Sequence, residues 1–257
     1  MKLTIANVST SIDDDTLKTA VAAIARQVSE HFQPEWGAGA TITPVRMALG
    51  DGQAPVDTPT ETIIYLGGSS QDPTTGVDGA YGYHSENYGH IPYGFVYLDI
   101  CEKYGETWTC TLSHEVLELL ADPTAVLTVA AAGPADSPAA DKSVYYDLEV
   151  CDPTQGDTYP IDGVVVSNFV TRAYFGMAGG ATANTNYLNL TLASFGVRPG
   201  GYFQYEVDNT TQQVNGSRVD EKRLAARRIL GRYRRNGRRA AALGRRAAPA
   251  QKPRMAA

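Results

Sequence analysis

The chain has 257 residues, is 43% hydrophobic and carries a formal net charge of −6, which suits one sizeable core. No apolar run approaches the roughly 20 residues that a membrane-spanning helix needs. The N-terminal segment turns acidic too early for a secretory signal peptide. We therefore expect no transmembrane segment, and a cytoplasmic or virion-associated protein.

The charge is unevenly distributed along the chain. Residues 1–210 hold 8 Lys and Arg against 26 Asp and Glu, whereas residues 211–257 hold 14 Lys and Arg against two acids. We expect a folded domain at 1–207 and a basic, Arg-rich tail at 208–257, partly helical or disordered. The basic residues at 222–246 could bind a polyanion such as nucleic acid, an anionic lipid or the acidic body, or could form a solvated helix.

The first hundred residues predict a strand, a long helix and further strands. A strand at 2–8 precedes acids suited to a helix start, and apolar residues then follow at helical spacing to near Pro34. Strands are predicted at 41–49, 62–66 and 94–100. The stretch at 67–89 is rich in Gly, Ser, Asp and Tyr and predicts a long loop.

The second half predicts a helix from Glu106 or Thr107 to Pro123, since proline ends a helix. A loop at 130–140 follows, then strands at 143–150 and 163–170. The apolar segments at 187–195 and 202–207 are of uncertain type. Composition at 219–243 favours a helix.

The most informative residues lie on the helix that ends at Pro123. Its letters, H-E-x-x-E-x-x-x-D-P, differ by one from a zinc-protease motif. His114 and Glu118 are one turn apart on one side, Asp122 follows one turn later, and Glu115 flanks the same face. A metal held by His114 and Glu118 would place Glu115 beside its water as general base. The alternative is an ordinary amphipathic helix.

Two other segments carry candidate site residues. The segment Y-Y-D-L-E-V-C-D-P offers Glu149 and Asp152 as further ligands, although Asp152 before proline also suits a turn. The loop at 81–90 offers Tyr83 and His84 to stabilise an oxyanion or line a cleft, with an aromatic surface loop as the alternative. The three cysteines predict reduced, partly buried thiols.

The combination of GYH, SHEVLELLADP, YDLEVCDP and YPIDGVVVSNFV resembles a family of bacterial and phage proteins described as zincin-like metalloproteases. The likeness covers most of 1–207, and the helix and E-V-C-D blocks also resemble exordium-type proteins. The resemblance implies an α+β, zincin-like fold: a mixed sheet, a long N-terminal helix and an H-E active-site helix. It also implies a metal site on His114, Glu115 and Glu118, completed by Glu149 and by Asp152 or Asp122.

These observations together predict a zinc metallopeptidase acting on a peptide or protein. Zn²⁺ would be held by His114, Glu118 and Glu149, with Asp122 as a fourth ligand or as a partner orienting His114. Glu118 in place of a second histidine makes the site more anionic, which could favour Ca²⁺ or Mn²⁺. The alternative is a non-catalytic binding or virion-associated protein with a basic docking tail.

Overall fold

The computed structural model describes residues 1–48, 61–72, 76, 79–87 and 89–217. Within these residues, no helix is both long enough and apolar enough to cross a membrane. The helix predicted at 219–243 and the basic residues at 222–246 lie outside the described part of the chain.

The first sheet is mixed and has the strand order β2-β1-β3-β5-β4. Its first four members in that order are parallel, and β4 runs antiparallel to β5 at one edge. Both β1 and β3 lie inside the sheet; β3 is entirely apolar and buried, and β1 buries Leu3, Ile5 and Ala6 together with the polar Asn7. The strands are β1 (Lys2–Asn7), β2 (Thr41–Arg46), β3 (Ile63–Leu66), β4 (Gly82–Glu86) and β5 (Pro92–Val96).

The N-terminal helical region has three parts. Helix α1 (Asp14–Arg26) begins after Asp13, whose carboxylate accepts the Thr16 N–H at 2.7 Å as an N-cap. A π-helical turn (Gln27–Phe32) follows, and then the short helix α2 (Gln33–Trp36), which contains Pro34 in its first turn. The single long helix predicted to end near Pro34 is therefore not shown.

Helix α4 (Trp108–Ala121) carries the H-E motif and follows the short helix α3 (Leu98–Tyr104). It begins after Thr107 and ends before Pro123, as predicted. Residues 109–120 are all buried, since α4 packs against β4 and β5 on one side and β9 on another. An ordinary amphipathic surface helix would leave one face in water.

Two smaller sheets complete the fold, which is α+β. One is antiparallel with the order β11-β10-β7-β6, and the other is the β8–β9 hairpin, which packs against α1 and α4. The fold continues beyond residue 207, because β11 pairs with β10. The strands are β6 (Thr128–Ala132), β7 (Ser143–Asp147), β8 (Thr158–Ile161), β9 (Val164–Ser167), β10 (Tyr202–Val207) and β11 (Thr210–Asn215).

Several predicted elements differ from the observed ones. Strand β4 lies inside the predicted 67–89 loop, and β6 overlaps the predicted 130–140 loop. The predicted strand at 94–100 ends at Val96, where the chain turns into α3. The predicted strand at 143–150 ends at Asp147, so Glu149 lies in irregular chain.

All three cysteines are free and buried, which confirms the prediction of reduced thiols. Burial raises the pKa of the Cys101 thiol to about 12, and a hydrogen-bond contact with Thr111 opposes that rise only weakly. Cys101 therefore stays a thiol at neutral pH and is a packing residue.

Candidate metal centre

Six ionisable side chains from three parts of the chain meet beside α4. Strand β4 supplies one, α4 supplies three, and the segment after β7 supplies two, of which Asp152 begins a 3₁₀ turn (Asp152–Thr154). All are at least nine-tenths buried, which is unusual for charged groups unless they are paired or bind a metal. They are His84, His114, Glu115, Glu118, Glu149 and Asp152.

Glu118 is the centre of this cluster and is 0% exposed. Its Oε1 accepts the backbone N–H of Cys151 at 3.2 Å. Its Oε2 lies 3.1 Å from His114 Nε2 and 3.9 Å from His84 Nδ1. One carboxylate oxygen is thus fixed by the main chain, and the other faces two imidazoles.

His114 lies one turn before Glu118, and its Nε2 is also 3.3 Å from Asp152 Oδ1. Burial alone would lower the pKa of His114. The neighbouring Glu118 and Asp152 carboxylates outweigh burial and raise this pKa well above its usual value. The surroundings of His114 therefore favour positive charge, whether it is carried by a proton or by a bound cation.

His84 approaches from β4 and is 0% exposed. Its Nε2 donates to the main-chain carbonyl of Asp122 at 3.1 Å, because a carbonyl can only accept. Nδ1 consequently faces the carboxylates and lies 3.6 Å from Glu115 Oε2. Strand alternation places His84 on the face of β4 that packs against α4.

Two groups of donor atoms in the described chain lie close enough to hold a cation. The first comprises His114, Glu118 and Cys151, and the second comprises His84, Glu118 and Glu149. The donor atoms within each group lie within 4.8 Å of one another. Glu118 belongs to both groups, whereas the two histidines belong to different ones.

Glu115 lies at a small cavity of about 20 Å³, room for roughly one water molecule. His114 also lines it, together with Tyr81, Gly82 and Tyr202. The backbone of Gly82 packs closely on Glu115: a Cβ there would lie 3.0 Å from both Cγ and Oε1 of Glu115. The carboxylate of Glu115 is thus held between β4 and the cavity.

Asp122 was a predicted metal ligand, but both of its carboxylate oxygens accept hydrogen bonds from the turn that follows α4. Its Oδ1 accepts the N–H and hydroxyl of Thr124, and its Oδ2 accepts the N–H of Leu127 at 2.7 Å. Burial and, after it, the Glu149 charge raise the pKa of Asp122, while His84 and these hydrogen bonds oppose the rise. The carboxylate closes the turn after α4, and its carbonyl orients His84 rather than His114.

Tyr83, predicted to stabilise an oxyanion, does not join the cluster. Strand alternation turns it to the opposite face of β4 from His84. There its ring stacks on Phe95 at 5.3 Å between centroids and contacts Tyr93 and Tyr97. The tyrosines that line the cavity beside Glu115 are Tyr81 and Tyr202.

Sequence reasoning also missed Cys151 as a candidate donor and Tyr202 as a cavity residue. Residues 148–151 are not a strand, and this irregular stretch brings the Cys151 sulfur near His114 and Glu118. Burial and then the Glu118 charge raise the pKa of Cys151 well above its usual value. No local pattern marks Tyr202, which comes from β10 in another sheet.

The donor set fits a divalent cation. Imidazole nitrogen, carboxylate oxygen and thiolate sulfur are the ligands of Zn²⁺, and carboxylate-rich sites with one imidazole also suit Mn²⁺. Four of the six buried groups are carboxylates, so a bound cation would lower the repulsion between their ionised forms. The orientation of His84 by a main-chain carbonyl is the outer support that metal-binding histidines usually have.

Comparisons with protein families, curated proteins and solved structures found no match. Any function assigned to this chain therefore depends on the geometry of these side chains.

Proposed function

We propose that this chain is a metal-dependent hydrolase with a zincin-like arrangement, acting on a peptide or protein. The observation that carries the proposal is the position of Glu115: a buried carboxylate at a cavity with room for about one water, next to His114. The mixed sheet with an antiparallel edge strand over the H-E helix supports the zincin-like description.

The ligands we assign to the main cation are His114 and Glu118, with a third donor from residues 151–152. Cys151 is grouped with them, and Asp152 Oδ1 lies 3.3 Å from His114 Nε2. A bound Zn²⁺ would supply Lewis acidity and lower the pKa of a water molecule. Glu149, predicted as a ligand of the same cation as His114, is grouped with His84 instead.

Glu115 acts in this proposal as the general base. Its carboxylate accepts a proton at the cavity and returns it to the leaving amine. His84 Nδ1 lies 3.6 Å from the Glu115 carboxylate, so β4 brings a second imidazole beside the general base. Tyr81 and Tyr202 line the same cavity and exclude bulk water from it.

The test combines metal analysis with Glu115→Gln. We expect the purified chain to retain at least one cation, and the variant to keep that cation while losing hydrolysis of internally quenched peptides by 10²-fold or more, an order-of-magnitude expectation for a general base. Glu35→Gln is the matched control, because Glu35 is a buried carboxylate outside the cluster. A folded chain that binds no divalent cation would overturn the proposal.

A second candidate is a non-catalytic protein stabilised by its metal. The observation that favours it is the narrowness of the cavity, since Gly82 packs directly on Glu115. In that case the cation would bind and raise the melting temperature, no peptide would be cleaved, and Glu115→Gln would change only stability.

A further inference from the structure

The structure points to a second cation site at His84, Glu118 and Glu149, so that Glu118 bridges two cations. We infer a dinuclear centre in place of the single ion that the H-E motif suggests. Only the cation at His114 rests on the proposed function; the second site is inferred from the geometry of its own donor group.

The first support is the position of Glu118 between two imidazoles that belong to different donor groups. Its Oε2 is 3.1 Å from His114 Nε2 and 3.9 Å from His84 Nδ1. The donors of the second group lie within 4.8 Å of one another, as do those of the first. A carboxylate shared by neighbouring groups is the common bridge of two-metal sites, whose ions lie about 3.5–4 Å apart.

The second support is the orientation of His84. Its Nε2–H is committed to the Asp122 carbonyl, which fixes the ring and turns Nδ1 towards Glu115 and Glu118. A histidine held in this way by a main-chain carbonyl presents its other nitrogen as a ligand.

The third support is the accumulation of negative charge on this side of Glu118. Glu115 and Glu118 both face His84, and Glu149 belongs to the same donor group as His84 and Glu118. One imidazolium could balance one of these buried carboxylates, whereas a divalent cation balances two. One nitrogen and two carboxylates suit Mn²⁺ or Zn²⁺.

The experiment measures cation stoichiometry in the full chain with Mn²⁺ or Zn²⁺, by titration calorimetry and elemental analysis. We expect two cations per wild-type chain, one in His84→Gln and in Glu149→Gln, and none held tightly in Glu118→Gln. His31→Gln is the matched control and should bind two, because His31 lies away from the cluster, against Tyr159 and Tyr187. Circular dichroism checks that each variant is folded.

Electron paramagnetic resonance of the Mn²⁺-loaded wild type gives a reading that needs no variant. Two ions bridged by Glu118 should give an exchange-coupled spectrum, which His84→Gln should convert to that of isolated Mn²⁺. One cation per saturated wild-type chain with an uncoupled spectrum would overturn the second site and leave the hydrolase proposal intact. Absence of any bound cation would overturn both.

Discussion

Glu118 occupies the position where the related protease motif has its second histidine, and the exchange has a structural reason. A carboxylate has two oxygens, so Glu118 can accept the Cys151 N–H with one and face His114 and His84 with the other. An imidazole ring has no equivalent pair of acceptors on one side chain. Glu118, the residue that differs from the protease motif, therefore connects α4 to the backbone of Cys151.

Glu118→His, which restores the protease motif, should be destabilising. It removes the acceptor of a buried backbone N–H and adds volume to a fully buried position, so the metal-free chain should lose about 1–3 kcal/mol of unfolding free energy. Urea unfolding in the presence of a chelator measures this loss. Glu118→Gln, which keeps an oxygen acceptor, should lose less. Equal stability of all three proteins would contradict the role given to the carboxylate.

His31 offers a pH-dependent contribution to stability that is separate from the metal centre. Burial lowers the pKa of His31; the charge of Glu30 opposes this lowering, and the charge of Arg26 adds to it. The rings of Tyr159 and Tyr187 pack on the imidazole. The folded chain therefore binds the His31 proton less readily than the unfolded chain. The contribution is fully present above the unfolded pKa of about 6.5 and is lost as pH falls through the lowered folded value.

We expect the wild type to lose more stability than His31→Gln between about pH 7 and pH 5. Parallel urea titrations across this range, at constant ionic strength, give the comparison. Identical pH dependence in the two proteins would show that the His31 pKa does not differ between the folded and unfolded states.

The residues on α4 could be predicted from sequence because helical spacing alone places His114, Glu115 and Glu118 on one side. The pairing of His84 with Glu118 could not be predicted, because it depends on β4 lying beside β5 and over α4. The assignment of Glu149 to the His114 group failed for a similar reason. Spacing along the chain does not report how the irregular segment after β7 turns.

At the level of elements, the candidate metal centre depends on β4, because this strand carries His84. Its sequence, Gly-Tyr-His-Ser-Glu, has few of the branched residues that indicate a strand, and Gly82 lies where only a hydrogen fits. A Cβ at Gly82 would lie 2.7 Å from the Phe95 carbonyl oxygen and 3.0 Å from Glu115. Gly82 weakens the strand signal in the sequence, and the same residue allows β4 to pack closely on α4.

Gly82→Ala should therefore disturb both fold and site. The new methyl must push apart backbone and the Glu115 side chain, at a cost of about 1–3 kcal/mol in unfolding free energy. Gly39→Ala is the matched control, because its methyl would meet only the flexible side chain of Gln33. Thermal and urea unfolding of both variants tests the difference. Equal effects would mean that β4 and α4 are less closely packed than described.

Other elements followed the sequence to different degrees. The predicted strands at 2–8 and 41–49 and the H-E helix are confirmed with small changes at their ends. The π-helical turn at Gln27–Phe32 was not predictable, since apolar residues at helical spacing continue through it. The apolar segments at 187–195 and 202–207 look alike in sequence, but only the second forms a strand, β10, which pairs with a strand on each side.

At the level of the whole molecule, the opposed charges of body and tail predict a polyanion-binding segment. Deleting residues 218–257 removes 14 basic residues and should abolish binding to heparin or DNA, together with its steep salt dependence. Fluorescence anisotropy at several salt concentrations measures both. The deletion leaves β11 and the candidate metal centre in place, so any cation binding should be unchanged. Undiminished polyanion binding would reject the role of the tail.

The hydrogen bond from His84 to the Asp122 carbonyl joins the free edge of a sheet to the end of a helix. An edge strand is ordinarily among the first parts of a domain to open, because it has one neighbour instead of two. Here that opening would carry one imidazole away from Glu118 and dismantle the centre while the rest of the core stayed folded. A bound cation would therefore stabilise β4 against local opening, slowing exchange of its amide protons, and would also raise the free energy of unfolding of the whole chain.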